Sequence, residues 1–244
     1  MKIGLFIPCY IDQFYPQVGI ATLTLLEKLG CQVEYPTGQT CCGQPMANTG
    51  CEQDAIPVYH NYVKNFEPYD FIVAPSGSCV YHIRKHYDII EQTTAVKHVR
   101  QRTLDLSEFL IDILKIESLD SKFPHKVGLH QSCHGLRGLR LGPDSERVEE
   151  RPSKVHQLLH MVDGIELMPL DRVDECCGFG GTFAINEPAI SVKMGKDRIA
   201  DHERNGVEVI TASDMSCLMH LEGLLRRKKK NIKVMHLAEI LCRV

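Results

Sequence analysis

The sequence has no excess of either charge and no long hydrophobic run. Its 28 Lys and Arg residues against 31 Asp and Glu residues leave a formal net charge of −3 over 244 residues, a balance that predicts no nucleic-acid partner. No apolar run approaches the length of a membrane span. The segment from Met1 to Pro8 lacks the apolar core and the cleavage site of a signal peptide. We therefore expect a cytoplasmic protein with no membrane span.

The sequence also lacks the short glycine motifs of nucleotide-binding sites. It contains no P-loop, and no G-x-G-x-x-G lies in a strand–turn–helix element. Nothing therefore indicates a nicotinamide or a flavin site. The closely spaced C-x₂₋₄-C pairs that are typical of structural zinc sites are missing as well.

Cysteine, in contrast, is abundant. There are eleven cysteines, and in the reducing cytoplasm an odd number argues against a disulfide scaffold. Eight of them form two sets of the same order, in which a lone cysteine, a Cys-Cys-Gly triplet and another lone cysteine follow one another. The sets are Cys9, Cys41, Cys42 and Cys79, and Cys133, Cys176, Cys177 and Cys217. We interpret the other three, Cys31, Cys51 and Cys242, as structural residues.

The pattern of apolar residues also repeats in the two halves of the chain. Each half begins with an apolar run that ends at a cysteine, and a segment with helical periodicity and then a glycine follow. The predicted strands are 2–7, 32–35 and 71–74 in the first half, and 126–130, 165–168 and 207–210 in the second. Further helices are predicted at about 54–66 and 187–204, and the closing segments 105–110 and 236–241 match. This alternation predicts an α/β fold with two tandem duplicated domains, 1–121 and 122–244, each a small Rossmann-like parallel sheet flanked by helices.

The predicted fold would bring the cysteines of each set close together. Each cysteine of the two sets follows a strand, and parallel strands present their carboxyl ends at one edge, where open α/β sheets bind ligands. We therefore expect each set to converge on one crevice in its own domain. Clustered thiolates are soft ligands that favour iron–sulfur chemistry. Four thiolates also suit zinc, which remains an alternative for at least one domain.

The glycine that follows each cysteine pair removes a Cβ atom, so that backbone N–H groups can approach a cluster closely. In the second half the loop continues as Phe179, Gly180, Gly181 and Thr182. Those glycines suit either a cluster or an anion at a helix N-terminus.

These motifs resemble the cysteine-rich CCG domain family over the whole chain. That family includes the B subunit of heterodisulfide reductase and the iron–sulfur subunit of glycolate oxidase, and its short two-domain branch contains the lactate utilisation A proteins. The segment from Cys176 to Phe183 is similar to the glycolate-oxidase form of the motif. The segments 42–45 and 75–79 are similar to the lactate-utilisation branch.

The resemblance implies an iron–sulfur electron-transfer subunit of a bacterial L-lactate (2-hydroxy acid) oxidation system. It implies one cluster for each set of four cysteines, a ferredoxin-like iron–sulfur partner subunit and a third protein of the same system. The chain departs from the family at the first cysteine of the last motif, where Ser76 and Asp214 stand. Four cysteines in each domain favour an ordinary [4Fe–4S] cluster, and we expect Ser76 and Asp214 to cap the helices that follow.

Several alternatives stay open at this point. The paired cysteines also fit a thiol–disulfide enzyme of the heterodisulfide reductase type, a zinc-stabilised assembly protein without redox function, or a redox sensor. His82 and His220 each follow the last cysteine of a set by three residues, which fits either a role beside the cluster or core packing. His134, Arg137 and Arg140 fit either a cluster-side cation or a solvated loop. The basic run 226–230 is interpreted as a solvated helix end.

Overall fold

The structure is a computed structural model that describes residues 1–147 and 152–243. Residues 148–151 and 244, which belong to the predicted second domain, lie outside the described residues. Each half of the described chain forms one four-stranded sheet in which neighbouring strands are parallel. The predicted α/β class with two duplicated units is therefore confirmed.

The first half alternates strands and helices along the chain. Its elements are β1 (Lys2–Leu5), α1 (Cys9–Phe14), α2 (Pro16–Lys28), β2 (Gln32–Glu34), α3 (Gln44–Asn48), α4 (Glu52–Phe66), β3 (Phe71–Ala74), α5 (Gly77–His86), a 3₁₀ turn (Tyr87–Ile89), α6 (Thr94–Arg102), β4 (Thr103–Asp105), α7 (Leu106–Glu108) and a π-helical turn (Phe109–Ile113).

The second half largely repeats this order. They are β5 (Lys126–Leu129), a π-helical turn (His134–Gly138), α8 (Lys154–His160), β6 (Glu166–Leu167), α9 (Phe183–Asn186), α10 (Pro188–Arg204), β7 (Val209–Ala212), α11 (Met215–Arg227), β8 (Lys233–His236) and α12 (Leu237–Leu241). The predicted strand at 207–210 begins two residues later than expected, because Val127 of β5 pairs with Val209.

The two sheets have the same strand order and nearly the same register. The first runs β2-β1-β3-β4 and the second β6-β5-β7-β8. In the central pairs, Gly4 of β1 lies opposite Ile72 and Gly128 of β5 lies opposite Ile210. The first strand of each half is thus a central strand that is almost fully buried, which explains its continuous apolar sequence.

The fourth strand of each half was not predicted from the sequence. Both strands carry polar residues at their two ends, so they lack the apolar run of a buried strand. The similarity of the closing segments instead reflects a repeated helix start. The side chains of Asp105 and His236 accept backbone N–H groups of α7 and α12, and Glu108 and Glu239 accept the N–H of the capping residue in return. Each is a capping box that ends the strand and begins the helix.

The two halves share a hydrophobic core. Helix α12 of the second half packs on α2 of the first, and α7 of the first half packs on α8 of the second. Leu26 of α2 and Phe109 after α7 belong to the same buried cluster as Leu129 and Leu159 of the second half. A second buried cluster, rich in Phe and Tyr, lies inside the first half. The boundary between residues 121 and 122 stays a prediction, and the shared core indicates that neither half is complete alone.

None of the helices in residues 1–147 and 152–243 combines the length and the apolar composition that crossing a bilayer requires.

The shared core predicts that damage to one half destabilises both. Leu26→Ala removes a fully buried side chain at the interface of α2 and is expected to lower the free energy of unfolding by about 2–5 kcal/mol. The control is Ile20→Ala in the same helix. Ile20 is 64% exposed, so this substitution should change the free energy of unfolding by less than about 0.5 kcal/mol. Guanidinium unfolding followed by circular dichroism, with all proteins in the same metal state, measures both. Two separate transitions, with only one of them shifted by Leu26→Ala, contradict the shared core.

Candidate metal centre

Each of the eight cysteines follows the carboxyl end of a strand, as the fold predicts. In the first half, Cys9 begins α1 just after β1, the pair Cys41–Cys42 lies in the loop after β2, and Cys79 lies in the first turn of α5 after β3. In the second half, Cys133 precedes the π-helical turn, the pair lies in the loop after β6, and Cys217 lies in the first turn of α11. We call the two sets the first quartet (Cys9, Cys41, Cys42, Cys79) and the second quartet (Cys133, Cys176, Cys177, Cys217).

The first quartet brings its sulfur atoms into contact. The Sγ atoms of Cys9 and Cys41 lie 3.6 Å apart, and those of Cys42 and Cys79 lie 3.4 Å apart. Cys42 and Cys79 are buried, whereas Cys9 and Cys41 are partly exposed. All eleven cysteines are free thiols. The two adjacent cysteines therefore contact different partners, because their side chains diverge: Cys41 contacts Cys9, and Cys42 contacts Cys79.

The glycine of each Cys-Cys-Gly loop has the same role in both halves. The backbone N–H groups of Gly43 and Gly178 each donate to the Sγ atom of the first cysteine of the pair, at 3.4 Å. Both glycines have positive φ, +87° and +88°. A Cβ atom on Gly178 would lie 2.6 Å from the carbonyl oxygen of Ser191, so this turn requires glycine. The loop thus directs backbone dipoles at the thiolates.

The contacts also set the charge of the thiols. The thiols of Cys42 and Cys9 and the N–H of Gly43 stabilise the thiolate of Cys41 and lower its pKa. Because Cys9 donates to that thiolate and is partly buried, its own pKa is raised. The second quartet behaves in the same way, with the pKa of Cys176 lowered by Cys133, Cys177 and the N–H of Gly178. Each quartet therefore holds one thiolate readily, and a bound cation would stabilise the thiolates of Cys9 and Cys133, whose pKa values are raised.

The second quartet has a nitrogen neighbour that the sequence did not indicate. A ligand nitrogen of His130 and the Sγ atoms of Cys177 and Cys217 all lie within 4.8 Å of one another. Burial, and then the Arg198 guanidinium, lower the pKa of His130 to about 3, so that its imidazole is neutral. His130 was predicted only as the end of a strand. The sequence could have indicated His130 as a candidate ligand only through its position, one residue after β5 and three before Cys133.

All eight cysteines line a single cavity of about 360 Å³ between the two halves. The sequence predicted one crevice in each domain instead. The difference arises because the carboxyl edges of the two sheets face each other. Helix α1 packs on α11, and the π-helical turn at 134–138 packs on α5, so the segment after the first cysteine of each half contacts the segment after the last cysteine of the other.

A buried carboxylate joins the halves beside this cavity. Asp214, 1% exposed, accepts hydrogen bonds from the hydroxyls of Ser76 and Ser78 at 2.8 Å and from that of Ser132 at 2.6 Å. It also accepts the backbone N–H of Ser78, in the first turn of α5. Ser76 caps α5 through the N–H of Cys79, as predicted. The expectation for Asp214 was wrong: among the described residues it caps no N–H of its own helix, and it binds the start of α5 in the other half.

The other polar residues singled out in the sequence lie in several environments. His134 lines the cavity, and its ring lies 5.3 Å from that of Tyr81. Arg137 forms ion pairs with Glu146 and Asp174, at 2.8 and 3.2 Å. Its cation is therefore already neutralised by carboxylates of its own half.

The two histidines three residues beyond each quartet differ. His82 is buried and contacts the hydroxyl of Tyr59 at 3.1 Å, in the aromatic core of the first half. The ring of His220 lies 6.1 Å from that of Phe179, which follows the second Cys-Cys-Gly triplet. In the basic run, Arg226 and Lys230 each pair with a glutamate at 2.8 Å, as on a solvated helix end.

The donor set fits a thiophilic metal centre. Eight thiols around one cavity, with backbone N–H groups directed at two of the sulfurs, match iron–sulfur ligation. The sulfur pairs at 3.4 and 3.6 Å are also close to the separation of about 3.8 Å that two thiolates have on one tetrahedral zinc. A four-iron cluster would require the pairs to move apart as its irons enter.

A family model described as "Cysteine-rich domain" (CCG) matches residues 3–84 and 127–222. Each matched range contains one complete quartet. The model therefore covers the strands, the loops and the first helical turns from which all eight cysteines project.

Two relatives match along nearly their whole length. "Lactate utilization protein A" of Geobacillus sp. (strain WCH70) is 39% identical over 245 residues, which cover 99% of this chain and 99% of that protein. "Lactate utilization protein A 2" of Bacillus cereus (strain 03BB102) is 38% identical over 248 residues, covering 100% of this chain and 98% of that protein. Among solved structures, glutamate racemase RacE1 of Bacillus anthracis covers 99% of this chain and 78% of its own at a TM-score of 0.36 and 11% identity, a likeness too weak to carry an argument.

Asp214 should be the main polar contact between the halves. Asp214→Ala leaves buried hydroxyls and an N–H group unsatisfied and is expected to lower the free energy of unfolding by about 3 kcal/mol. Ser76→Ala, which removes one donor to Asp214 and the N-cap of α5, should cost about 2 kcal/mol. The double variant should be about 1 kcal/mol more stable than the sum of the two losses predicts. Denaturant unfolding of the four proteins measures this coupling, with Asp197→Ala on the surface as control. Strictly additive losses would mean that Asp214 does not act through Ser76.

Proposed function

The chain belongs to the family of CCG cysteine-rich domain proteins, together with the lactate utilization A proteins, and from that premise we propose that it carries electrons through iron–sulfur clusters in bacterial L-lactate oxidation. Family membership alone supplies the connection to lactate. The observation that carries the redox assignment is the gathering of both quartets around one cavity.

In this proposal the first quartet holds one cluster and the second quartet holds another, each of the [4Fe–4S] type. A bound cluster supplies one-electron transfer. The chain's own residues would do the rest. The N–H groups of Gly43 and Gly178 donate to ligand sulfurs and stabilise negative charge there, which raises a cluster's potential.

The shared cavity supports a relay rather than two separate carriers. Because the halves contact each other through α1 and α11 and through Asp214, the two quartets are held at a fixed separation. Exchange of electrons between centres on one rigid scaffold does not require the domains to move. Asp214 acts here as a positioning residue, since its contacts are with serines and a backbone N–H group.

The proposed electron transfer also requires partner proteins. The sequence contains no motif for a hydride-carrying cofactor, so the two electrons of a 2-hydroxy acid would have to enter or leave through other proteins. We propose a ferredoxin-like iron–sulfur subunit and a third protein of the lactate-utilisation system in this role. Eleven free thiols fit the reducing cytoplasm as the place where the complex works.

A zinc-stabilised assembly protein is the second candidate. The observation in its favour is the short distance within the sulfur pairs of the first quartet, which suits two thiolates on one metal ion. Metal analysis separates the candidates: zinc without iron or acid-labile sulfide would support this one.

The other two alternatives also make distinct predictions. A thiol–disulfide enzyme would cleave disulfides when the purified chain is given an artificial electron donor. A redox sensor would lose its clusters in air and change its partner binding rather than a turnover rate.

The deciding experiment is anaerobic purification followed by quantification of iron and acid-labile sulfide and by EPR of the reduced protein. The proposal expects iron and sulfide in equal amounts and EPR signals of reduced clusters. Fewer than about two irons per chain after careful reconstitution, too few even for one cluster, would reject it.

The ligand assignment predicts the effect of Cys177→Ser. Serine offers a harder oxygen ligand, so the variant should lose about half of its iron and sulfide while its circular dichroism stays unchanged. It should also fail to restore growth on L-lactate to a bacterium that lacks its own lactate utilization protein A. Cys51→Ser makes the same chemical change at an exposed cysteine and should keep full metal content and growth. Full iron content and normal growth with Cys177→Ser would remove this residue from the ligand set.

A further inference from the structure

The two quartets are not equivalent, because the position just after the first strand differs between the halves. Phe6 and His130 occupy the same place: the N–H of Phe6 donates to Val73 of β3 at 2.9 Å, and the N–H of His130 donates to Thr211 of β7 at 2.8 Å. Phe6 lies in an aromatic cluster, with ring centroids 5.1 Å from Tyr62 and 5.7 Å from Phe66. His130 puts two nitrogen atoms where the first half has a hydrocarbon ring.

These nitrogens have no hydrogen-bond partner within the described part of the chain. His130 is 1% exposed, and both Nδ1 and Nε2 are buried and unpaired. Leaving a buried polar group unpaired costs about 1–3 kcal/mol, so such groups call for a partner that the protein alone does not supply. The nearest candidates for a shared partner are the Sγ atoms of Cys177 and Cys217, which form one group with the imidazole within 4.8 Å.

A buried histidine without a hydrogen-bond partner is not for that reason alone a candidate metal ligand. His202 is equally buried, and both of its ring nitrogens are unpaired in the described residues. It packs against Gly128 of β5, where an added Cβ atom would lie 2.3 Å from its Nδ1 atom, as Phe66 packs against Gly4 in the first half. His202 is thus a core residue, whereas His130 faces two thiols. The proximity to sulfur is what separates them.

We propose that His130 is a ligand of the metal centre in the second half, where its imidazole nitrogen binds a metal atom of the centre that Cys177 and Cys217 hold. This inference rests on the proposed metal-binding function. A [4Fe–4S] cluster takes one protein ligand at each of its four irons, so His130 would replace one of the four thiolates of the second quartet there. The two centres would then differ in kind, with sulfur donors alone in the first half and mixed sulfur and nitrogen donors in the second. Imidazole is an accepted ligand of both iron–sulfur centres and zinc, and in two-iron clusters its replacement of thiolate raises the potential. Its neutral form is the one that binds metal.

A difference in donors also gives the relay a direction. If imidazole raises the potential of the second centre, electrons pass from the first quartet toward the second. The first half, with Phe6 and its aromatic neighbours, offers no such nitrogen at the equivalent place.

The test measures nitrogen at the metal directly. Full-length protein is produced with natural or ¹⁵N-labelled histidine, purified anaerobically, reduced and examined by pulsed EPR. We expect a strong ¹⁴N imidazole coupling that changes to the ¹⁵N pattern with labelled histidine. If the second centre contains zinc, the zinc-edge X-ray absorption spectrum replaces EPR, and a nitrogen scatterer is expected.

Two variants assign the signal. His130→Phe gives the second half the residue that the first half already carries, and it should abolish the histidine coupling while the iron of the first quartet remains. His202→Phe is the matched control and should retain the coupling, as should His220→Phe. If His130→Phe does not fold, the labelled wild type and the two control variants still decide the assignment, since loss of the coupling in either control would contradict it.

Failure of this inference is distinct from failure of the proposed function. Full iron and sulfide content without any histidine coupling, or a coupling that persists in His130→Phe, rejects His130 as a ligand and leaves the electron-transfer proposal standing. A chain that binds neither iron nor zinc rejects both.

Discussion

The face-to-face contact of the two sheet edges is the constraint on which the rest of the molecule depends. Parallel strands deliver their carboxyl ends, and hence the loops that carry the cysteines, to one edge of each sheet. Reciprocal packing of α1 on α11 and of the 134–138 turn on α5 then turns the two edges toward each other. Asp214 makes this contact specific, because its carboxylate receives donors from both halves. Without the contact between the two sheet edges, each quartet would open separately to solvent.

Duplication explains the similarity of the halves, and their differences carry the chemistry. Both halves keep the strand order, the glycine at positive φ after the cysteine pair, and a capping box at the end. Beneath the quartets they diverge. The first half fills its core with aromatic rings, whereas the second has His130, Arg198 and His202, all buried. Buried polar groups are costly unless they are paired, and among these three His130 is the one whose unpaired nitrogens lie beside Cys177 and Cys217.

The thiols themselves connect folding and metal binding. In each quartet one thiolate is stabilised by its neighbours and by a backbone N–H, and the pKa values of the thiols that donate to it are raised. A bound cation removes that conflict, and its binding energy therefore contributes to the stability of the folded chain. The same interaction that would assemble a cluster would also hold together the loops that approach one another across the interface between the halves.

The amino-acid sequence by itself determined the local structure and the eight cysteines as candidate ligands. Apolar runs, helical periodicity and the repeated order of cysteines are patterns over a few residues, and they predicted the α/β class, the duplication, and strands and helices within a few residues. They missed β4 and β8, which carry polar residues at both ends, since strand pairing there depends on a neighbour that is distant in sequence. Only the tertiary structure decided that both quartets share one cavity, that Asp214 binds the other half, and that His130 faces Cys177 and Cys217. Each of these depends on how elements far apart in the chain pack together, which no local pattern contains.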